Sequence, residues 1–495
     1  MDINLSKSRY CRGLQCPKML WLEQHKPEMA VNTAPESILA NGNMVGDYAR
    51  RYFGEYSLVE YNTDKTVMAE QTAELMAKGA QNIAEASFCT DGLYCAVDIL
   101  HRNGSSFDIV EVKSSTSSAD IYIEDMSFQY YVLTQCGIPI NKVYLLHINS
   151  NYTRQGELEI DKLFTLEDHT DDAKERSDNV GSCIRSIRQF NDTDTEPDYA
   201  VGVHCTSPYD CAFDRYCKGV LPEHNVFDIY RLGTKKKYEL YHKGIISFAD
   251  IISNGVKLGA AQKLQVETTY YSKPDSIDPE GIKSFLDTLT YPVYHLDFET
   301  FMQAIPEFDG VRPYMQIPFQ YSLHIELKDG SLDHREYLAK EGTDPRRGVA
   351  ESLCREIPDD VCVLAYNMSF EQGVLANLAN EFPDLSEHLL AIRKNMKDLA
   401  TPFQKKWYYT EAMGGYYTIK KVLPALFPDD PELDYHNLEG VHHGGEASAA
   451  FATLADHTPE EIAVIRSNLL KYCGLDTYAM VKLLSRLREA CGEDK

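Results

Sequence analysis

No apolar run in the 495 residues approaches the roughly 20 that a membrane-spanning helix needs, so no such span is expected. The opening stretch, MDINLSKSRYCRG, lacks the apolar core of a secretory leader. There is no internal repeat and no low-complexity tract. For this length the expectation is two or three globular domains, each with its own core. Basic charge is also scarce: 49 Lys and Arg stand against 75 Asp and Glu, a net charge of −26. That excludes broad, nonspecific coating of nucleic acid, which needs a basic surface. It leaves room for a local basic groove, and short basic runs exist at Lys235-Lys236-Lys237, Arg393-Lys394, Lys405-Lys406 and Lys420-Lys421.

What is present is ordinary for globular protein, at 43% hydrophobic and 25% charged residues. Thirteen cysteines without a leader point to the cytoplasm, where clustered cysteines hold metal more often than disulfides. The pattern along the chain predicts an α/β protein. Residues 38–90 read as helical. Strands are expected at 93–102, 107–115 and 143–149, with a helix at 123–138 between the second and third. Residues 151–200 read as a helix plus loop, and 205–217 as a loop. A helical connector spans 223–285, where Gly244 turns between two helices in a helix-hairpin-helix-like pattern. After 286 the pattern resets, with strands at 293–299, 319–327, 334–338 and 361–366 and helices at 371–381 and 459–490. Residues 400–447 form an aromatic, glycine-rich insertion.

The stretch Val293-Tyr294-His295-Leu296-Asp297-Phe298-Glu299 reads as a buried strand ending on two acids. Residues two apart on a strand share a face, so Asp297 and Glu299 converge, and their repulsion calls for a cation. Glu371 follows a strand where a helix begins. Tyr472 and Asp476 are one helical turn apart on the last helix and share a face. Four carboxylates with a tyrosine able to orient water suit phosphodiester hydrolysis by two Mg²⁺ or Mn²⁺ ions. Trp407, Tyr409 and Lys420 in the insertion are candidates for holding single-stranded bases and phosphate.

The motifs DFET, AYNMSFE and YCGLD resemble those of the DnaQ-like exonuclease superfamily, in its tyrosine-bearing DEDD subclass. The resemblance implies a ribonuclease H-like domain over 286–495 that removes nucleotides from 3′ ends. By it, Asp297, Glu299, Glu371 and Asp476 hold the metal and Tyr472 positions water. The second motif ordinarily ends in Asp, and here it ends in Glu371, one methylene longer. Asp398 is the fallback ligand.

Upstream, Asp98 sits in one expected strand, and Glu111 and Lys113 share a face of the next. This is the PD-(D/E)XK pattern, in which two acids bind a metal and the lysine orients the attacking water. Gln129, on the following helix, would hold the substrate backbone or the lysine. Cys205, Cys211 and Cys217, with one distant cysteine, supply four thiolates for a [4Fe–4S] cluster or Zn²⁺.

One early and three late cysteines around such a core resemble the iron–sulfur nucleases of the RecB/AddB type and their CRISPR-associated relatives. That implies a restriction-endonuclease-like domain over 1–222, stapled by the cluster, with Cys16 as fourth ligand and Cys11 as runner-up. Two departures stand out. The early helix, NGNMVGDYARRYF, has Gly46 and no metal-binding His, and Gln129 has Leu133 where a tyrosine is usual. Glu85 is a candidate assistant. The whole chain is similar to a bacterial family joining these two domains. The expectation is a cytoplasmic nuclease with two sites, acting on single-stranded DNA or RNA. Its rival is a nucleic-acid-binding scaffold of a repair or defence complex, with one or both sites inactive.

Overall fold

The computed structural model describes residues 5–31 and 36–492. It is a mixed α/β protein that divides into two compact units, Met1–Val220 with Gln303–Tyr314, and Leu221–Met302 with Met315–Lys495. Among the described residues no helix is long and apolar enough to cross a membrane.

The first unit is built on a seven-stranded sheet among the described residues. Its strands are β1 (Leu5–Ser6), β2 (Ser57–Leu58), β3 (Asn82–Thr90), β4 (Leu93–Asn103), β5 (Ser106–Lys113), β6 (Ile140–Ile148) and β7 (Phe164–Asp168). The order is β2-β3-β4-β5-β6-β7, and β1 joins β4 in parallel through Leu5↔Leu93. Strand β3 corrects the expected helix over 38–90, which is two helices, Glu36–Ala49 and Lys65–Ala77, followed by a strand. The reason is the Asp91-Gly92 pair. Both residues have positive φ, at 45° and 72°, the backbone of a tight hairpin turn, which pairs β3 with β4.

β5 and β6 are parallel, so the chain must cross over between them, and the helix Asp120–Gln135 does so. Met126, Phe128, Val132 and Leu133 pack that helix on one face of the sheet, together with Val180 and Ile184 of the helix Thr170–Asn191. The other face buries Ile99, Val110 and Leu146 under Val45, Ala49, Ala304 and Ile305. The last two come from residues 303–314, expected in the C-terminal domain but packed here. Arg154 N–H donates to Val311 O at 3.1 Å, and the Tyr314 hydroxyl donates to Ser114 O.

The second unit holds β8 (Ser276–Ile277), β9 (Val293–Phe301), β10 (Ile317–Glu326), β11 (Leu332–Leu338), β12 (Cys362–Ala365), β13 (Met396–Asp398) and β14 (Tyr408–Tyr409). Its main sheet runs β11-β10-β9-β12-β13, with β9, β12 and β13 parallel and β10 and β11 antiparallel. Alternation along β9 divides its faces. Tyr294, Leu296 and Phe298 pack against Val349, Leu353, Val374 and Leu378 of two helices. His295, Asp297 and Glu299 face the 32-residue helix Pro459–Ala490, which opens on a capping box at Thr458 and Glu461.

The connector belongs to this unit. It forms the helices Thr234–His242, Phe248–Ser253, Ala260–Tyr270 and Pro279–Leu286. Gly244, at φ 72°, turns between the first two around a core of Val226, Ile229, Leu240, Phe248, Ile251 and Val266.

Candidate active sites

β9 delivers Asp297 and Glu299 to the sheet face beneath the long helix, and Asp476 descends from that helix. Ligand oxygens of these three lie within 4.8 Å of one another. Two carboxylates at that distance repel by about 3.5 kcal/mol even at an effective dielectric constant of about 20. Burial, then the charges of Asp476, Glu299 and Glu371, push the Asp297 carboxyl far above its ordinary range. Burial and Asp476 raise Glu299 to about 8. Burial also raises Asp476, opposed by the Lys420 ammonium and the Tyr435 hydroxyl.

Glu371 stands in the first turn of the helix Ser369–Glu381. It is 3% exposed, and its Oε2 has no hydrogen-bond partner. Burial, with Asp398 beside it, lifts it to about 8. A buried carboxylate oxygen without a donor is costly, and a cation relieves it. The donor set is all oxygen, as Mg²⁺ and Mn²⁺ require. Asp398 braces the loop instead, accepting from the backbone N–H of Asn367 at 2.8 Å and Ala400 at 2.9 Å.

Around the acids stands a collar of side chains. The Tyr435 hydroxyl donates to Asp476 Oδ1 at 2.5 Å. Lys420 Nζ lies 3.6 Å from the same oxygen and donates to the Tyr472 hydroxyl at 3.2 Å. The Cys473 thiol points at Asp297 Oδ2 from 3.9 Å. The helix Gly444–Ala452 begins against Glu299, where a Cβ on Gly444 would come within 3.4 Å of Oε2. A cavity of about 570 Å³ opens beside this group and is lined by Lys420, Tyr435, His436 and His442.

One expected substrate contact, Tyr409, is corrected. Tyr409 is fully buried, and the Trp407 indole lies flat on Gly281, where a Cβ would be 2.7 Å from it. Tyr409 offers no free face, because β14 ties it to β8, whereas Trp407 is half-buried.

The first unit gathers a different set. Glu111, on β5, is 1% exposed. It accepts from Lys7 Nζ at 2.8 and 2.9 Å and from Gln129 Nε2 at 2.5 Å, and Lys113 Nζ lies 2.8 Å away. Burial alone would raise Glu111, but Lys113 and Lys7 outweigh it and hold the carboxyl at about 2. Asp98 accepts from the Val112 N–H at 2.6 Å, and burial with the charge of Glu111 lifts it to about 7. Lys113 also reaches Asp125 at 2.7 Å. Glu85 pairs with Arg50 at 3.0 Å.

Cys16, Cys205, Cys211 and Cys217 are near enough to raise one another. Burial, with these neighbours, lifts Cys16, Cys211 and Cys217 to about 11. Cys11 is turned away, its thiol donating to Asp125 Oδ1 at 3.1 Å. Cys217, expected in a loop, lies in the short helix Asp214–Lys218.

Residues 294–418 match the family described as "Domain of unknown function (DUF2779)". That span carries Asp297, Glu299 and Glu371 and stops short of Lys420, Tyr472 and Asp476. The chain is 28% identical over 225 residues to the "Uncharacterized protein MG366 homolog" of Mycoplasma pneumoniae, covering 41% of this chain and 33% of that protein. It is 29% identical over 164 residues to the "Uncharacterized protein UU173" of Ureaplasma parvum, covering 30% of this chain and 23% of that protein. The matched stretch is thus about a third or less of each relative.

Four contributors escaped sequence reasoning. Tyr435 sits in a short turn and Gly444 at the first position of a helix, neither with a periodic signal. Lys7 and Asp125 reach Glu111 and Lys113 only through the fold, because Lys7 is 104 residues from Glu111 in sequence. One usable signal was the helix pattern at 123–138, which turns Asp125 and Gln129, four apart, to one side.

Proposed function

We propose that the protein is a metal-dependent nuclease whose main centre is the carboxylate group of the second unit. The observation carrying this is the convergence of Asp297, Glu299 and Asp476 within 4.8 Å, beside the unpartnered Oε2 of Glu371. Bound divalent cations would activate the attacking water and stabilise the leaving oxygen. The chain's own residues do the rest. Asp297, Glu299, Asp476 and Glu371 would hold the ions. Tyr435 fixes the Asp476 carboxylate through one of its oxygens. Tyr472, buried beside Asp476 on the long helix, would orient the attacking water. Lys420, in contact with Tyr472 and 3.6 Å from Asp476, would offer its ammonium to a phosphate oxygen. The order of β9, Glu371 and the long helix supports a DnaQ-like, ribonuclease H-like reading, and with it removal of nucleotides from 3′ ends.

For the first unit the same proposal assigns a PD-(D/E)XK site of Asp98, Glu111 and Lys113, with Gln129 holding Glu111. One observation favours a second reading there. Glu111 is already satisfied by two lysines and an amide, so this site serves binding rather than cutting unless Lys7 withdraws. The four cysteines fit a [4Fe–4S] staple. Zn²⁺ is the alternative occupant of the same four thiolates.

The test is degradation of end-labelled single-stranded DNA and RNA with Mg²⁺ or Mn²⁺. Asp297→Ala should abolish stepwise loss from the 3′ end, and Lys113→Ala should leave it intact. Equal inertness of wild type and the double variant on single strands and duplexes would transfer the chain to the scaffold reading.

A further inference from the structure

The second unit gathers basic residues that are far apart in sequence around a cluster of tyrosines. Tyr230 and Tyr416 have ring centroids 4.7 Å apart, and Tyr417 stands edge-on to Tyr230 at 6.2 Å. The Arg231 guanidinium lies 5.2 Å from the Tyr230 centroid and 5.7 Å from that of Tyr417, and donates to the Tyr417 hydroxyl at 3.2 Å. Lys406 faces Tyr230 at 5.9 Å, and Lys421 faces Tyr416 at the same distance. Tyr416 and Lys421 also line a cavity with Glu223, Asp228 and Glu411, so the basic side of the cluster is that of Arg231, Lys406 and Lys421.

The cluster is built. Gln265 clamps both strands of chain that form it, accepting from the Tyr230 N–H at 2.9 Å and donating to Gly414 O at 3.0 Å. Gly415, at φ 83°, leaves no room for a side chain, since a Cβ would meet Gln265 at 2.7 Å and Tyr230 at 2.8 Å. Arg231 is held at φ 53°, a left-handed backbone that non-glycine residues rarely adopt, and its side chain is exposed. Tyr416 is 39% exposed.

The cluster also abuts the acidic centre. Tyr417 O accepts from the Tyr366 hydroxyl at 2.5 Å, and Tyr366 belongs to the segment leading to Glu371. Three residues after Tyr417, Lys420 stands 3.6 Å from Asp476.

We propose that Tyr230, Arg231, Tyr416 and Tyr417 form a stacking platform for single-stranded nucleic acid leading into the carboxylate centre. The recognised chemistry is an unpaired base lying on the Tyr416 ring and the phosphodiester beside it on Arg231 and Lys421. The assignment of what the strand leads into rests on the nuclease reading; the platform itself does not.

The test measures binding of labelled oligothymidylate and oligouridylate to the full chain by fluorescence anisotropy in EDTA, across salt concentrations. Tyr416→Ala should weaken binding about tenfold, while Tyr416→Phe retains it. Arg231→Gln should flatten the slope of log K against log salt by about 0.7. Both sites are on the surface, and a melting curve checks folding. Loss with both polymers supports the platform, and the tighter polymer names the substrate. Unchanged affinity and salt slope in folded variants overturns it. Wild-type hydrolysis of the p-nitrophenyl ester of thymidine 5′-phosphate with Mn²⁺ reports on the acids alone. An inert ester with intact platform-dependent binding therefore removes the nuclease reading and leaves the platform standing.

Discussion

Lys420 places its ammonium 3.6 Å from Asp476 Oδ1, inside a group of carboxylates that would otherwise hold only like charge. Burial depresses the Lys420 pKa, against the pull of Asp476, Glu299 and Asp297. The lysine is thus a resident cation competing with any divalent ion for Asp476. Lys420→Ala should tighten Mn²⁺ binding several-fold by calorimetry and slow hydrolysis by about tenfold or more, because charge at the phosphate is lost. Weaker Mn²⁺ binding in the variant would contradict this role.

The raised carboxyls fix a pH dependence. Glu299 and Glu371 sit at about 8 in the fold against an ordinary carboxylate value near 4.5. Between those values the folded chain binds more protons than the unfolded chain. Their contribution is present in full below about 4.5 and is lost as pH rises through about 8. Metal-free protein should therefore melt at progressively lower temperature from pH 5 to pH 8, and Mn²⁺ should restore the melting point at the upper end. A melting point that rises over that range without metal would count against the cluster.

Glu371→Gln keeps the shape and removes the charge. At pH 8 and without metal it should stabilise the fold by about 1–2 kcal/mol, since an unpaired buried carboxylate becomes a neutral amide. It should also cut metal-dependent hydrolysis by orders of magnitude. Destabilisation in chemical unfolding would mean that Glu371 has a structural partner.

In the first unit, Lys7 bridges both oxygens of Glu111. Lys7→Met should cost about 1.5–3 kcal/mol of stability, the usual range for hydrogen bonds to a buried charge. A loss below about 0.5 kcal/mol in urea melts would show that Lys113 and Gln129 suffice.

The cysteines separate cleanly. Anaerobically purified wild type should be brown, with about four irons per chain. Cys16→Ser should lose the colour, and Cys11→Ser should keep it, because Cys11 is turned to Asp125. Colourless wild type containing zinc would replace the cluster.

Much of the mixed α/β fold is legible in the sequence. The strands expected at 93–102, 107–115 and 293–299 are β4, β5 and β9, and the spacing of Tyr472 and Asp476 sets them on one helical face. β3 was misread because Asn82, Glu85 and Ser87 dilute its apolar residues, although Asp91-Gly92 signalled the hairpin. The 303–314 segment has no local sign that it belongs with the first unit, because Ala304 and Ile305 find their partners only across the fold. Aromatic richness near 400–447 was visible, but not which rings are buried. β14 pairing hides Tyr409, while the two glycines before Tyr416 carry that ring to the surface.

The most direct test of the account is Mn²⁺ titration by calorimetry of metal-free wild type against Asp476→Asn at neutral pH. Wild type should take up about two ions at the carboxylate centre, and Asp476→Asn should lose that uptake while remaining folded. Identical binding curves for the two proteins would contradict the claim that Asp297, Glu299 and Asp476 form a divalent-metal centre.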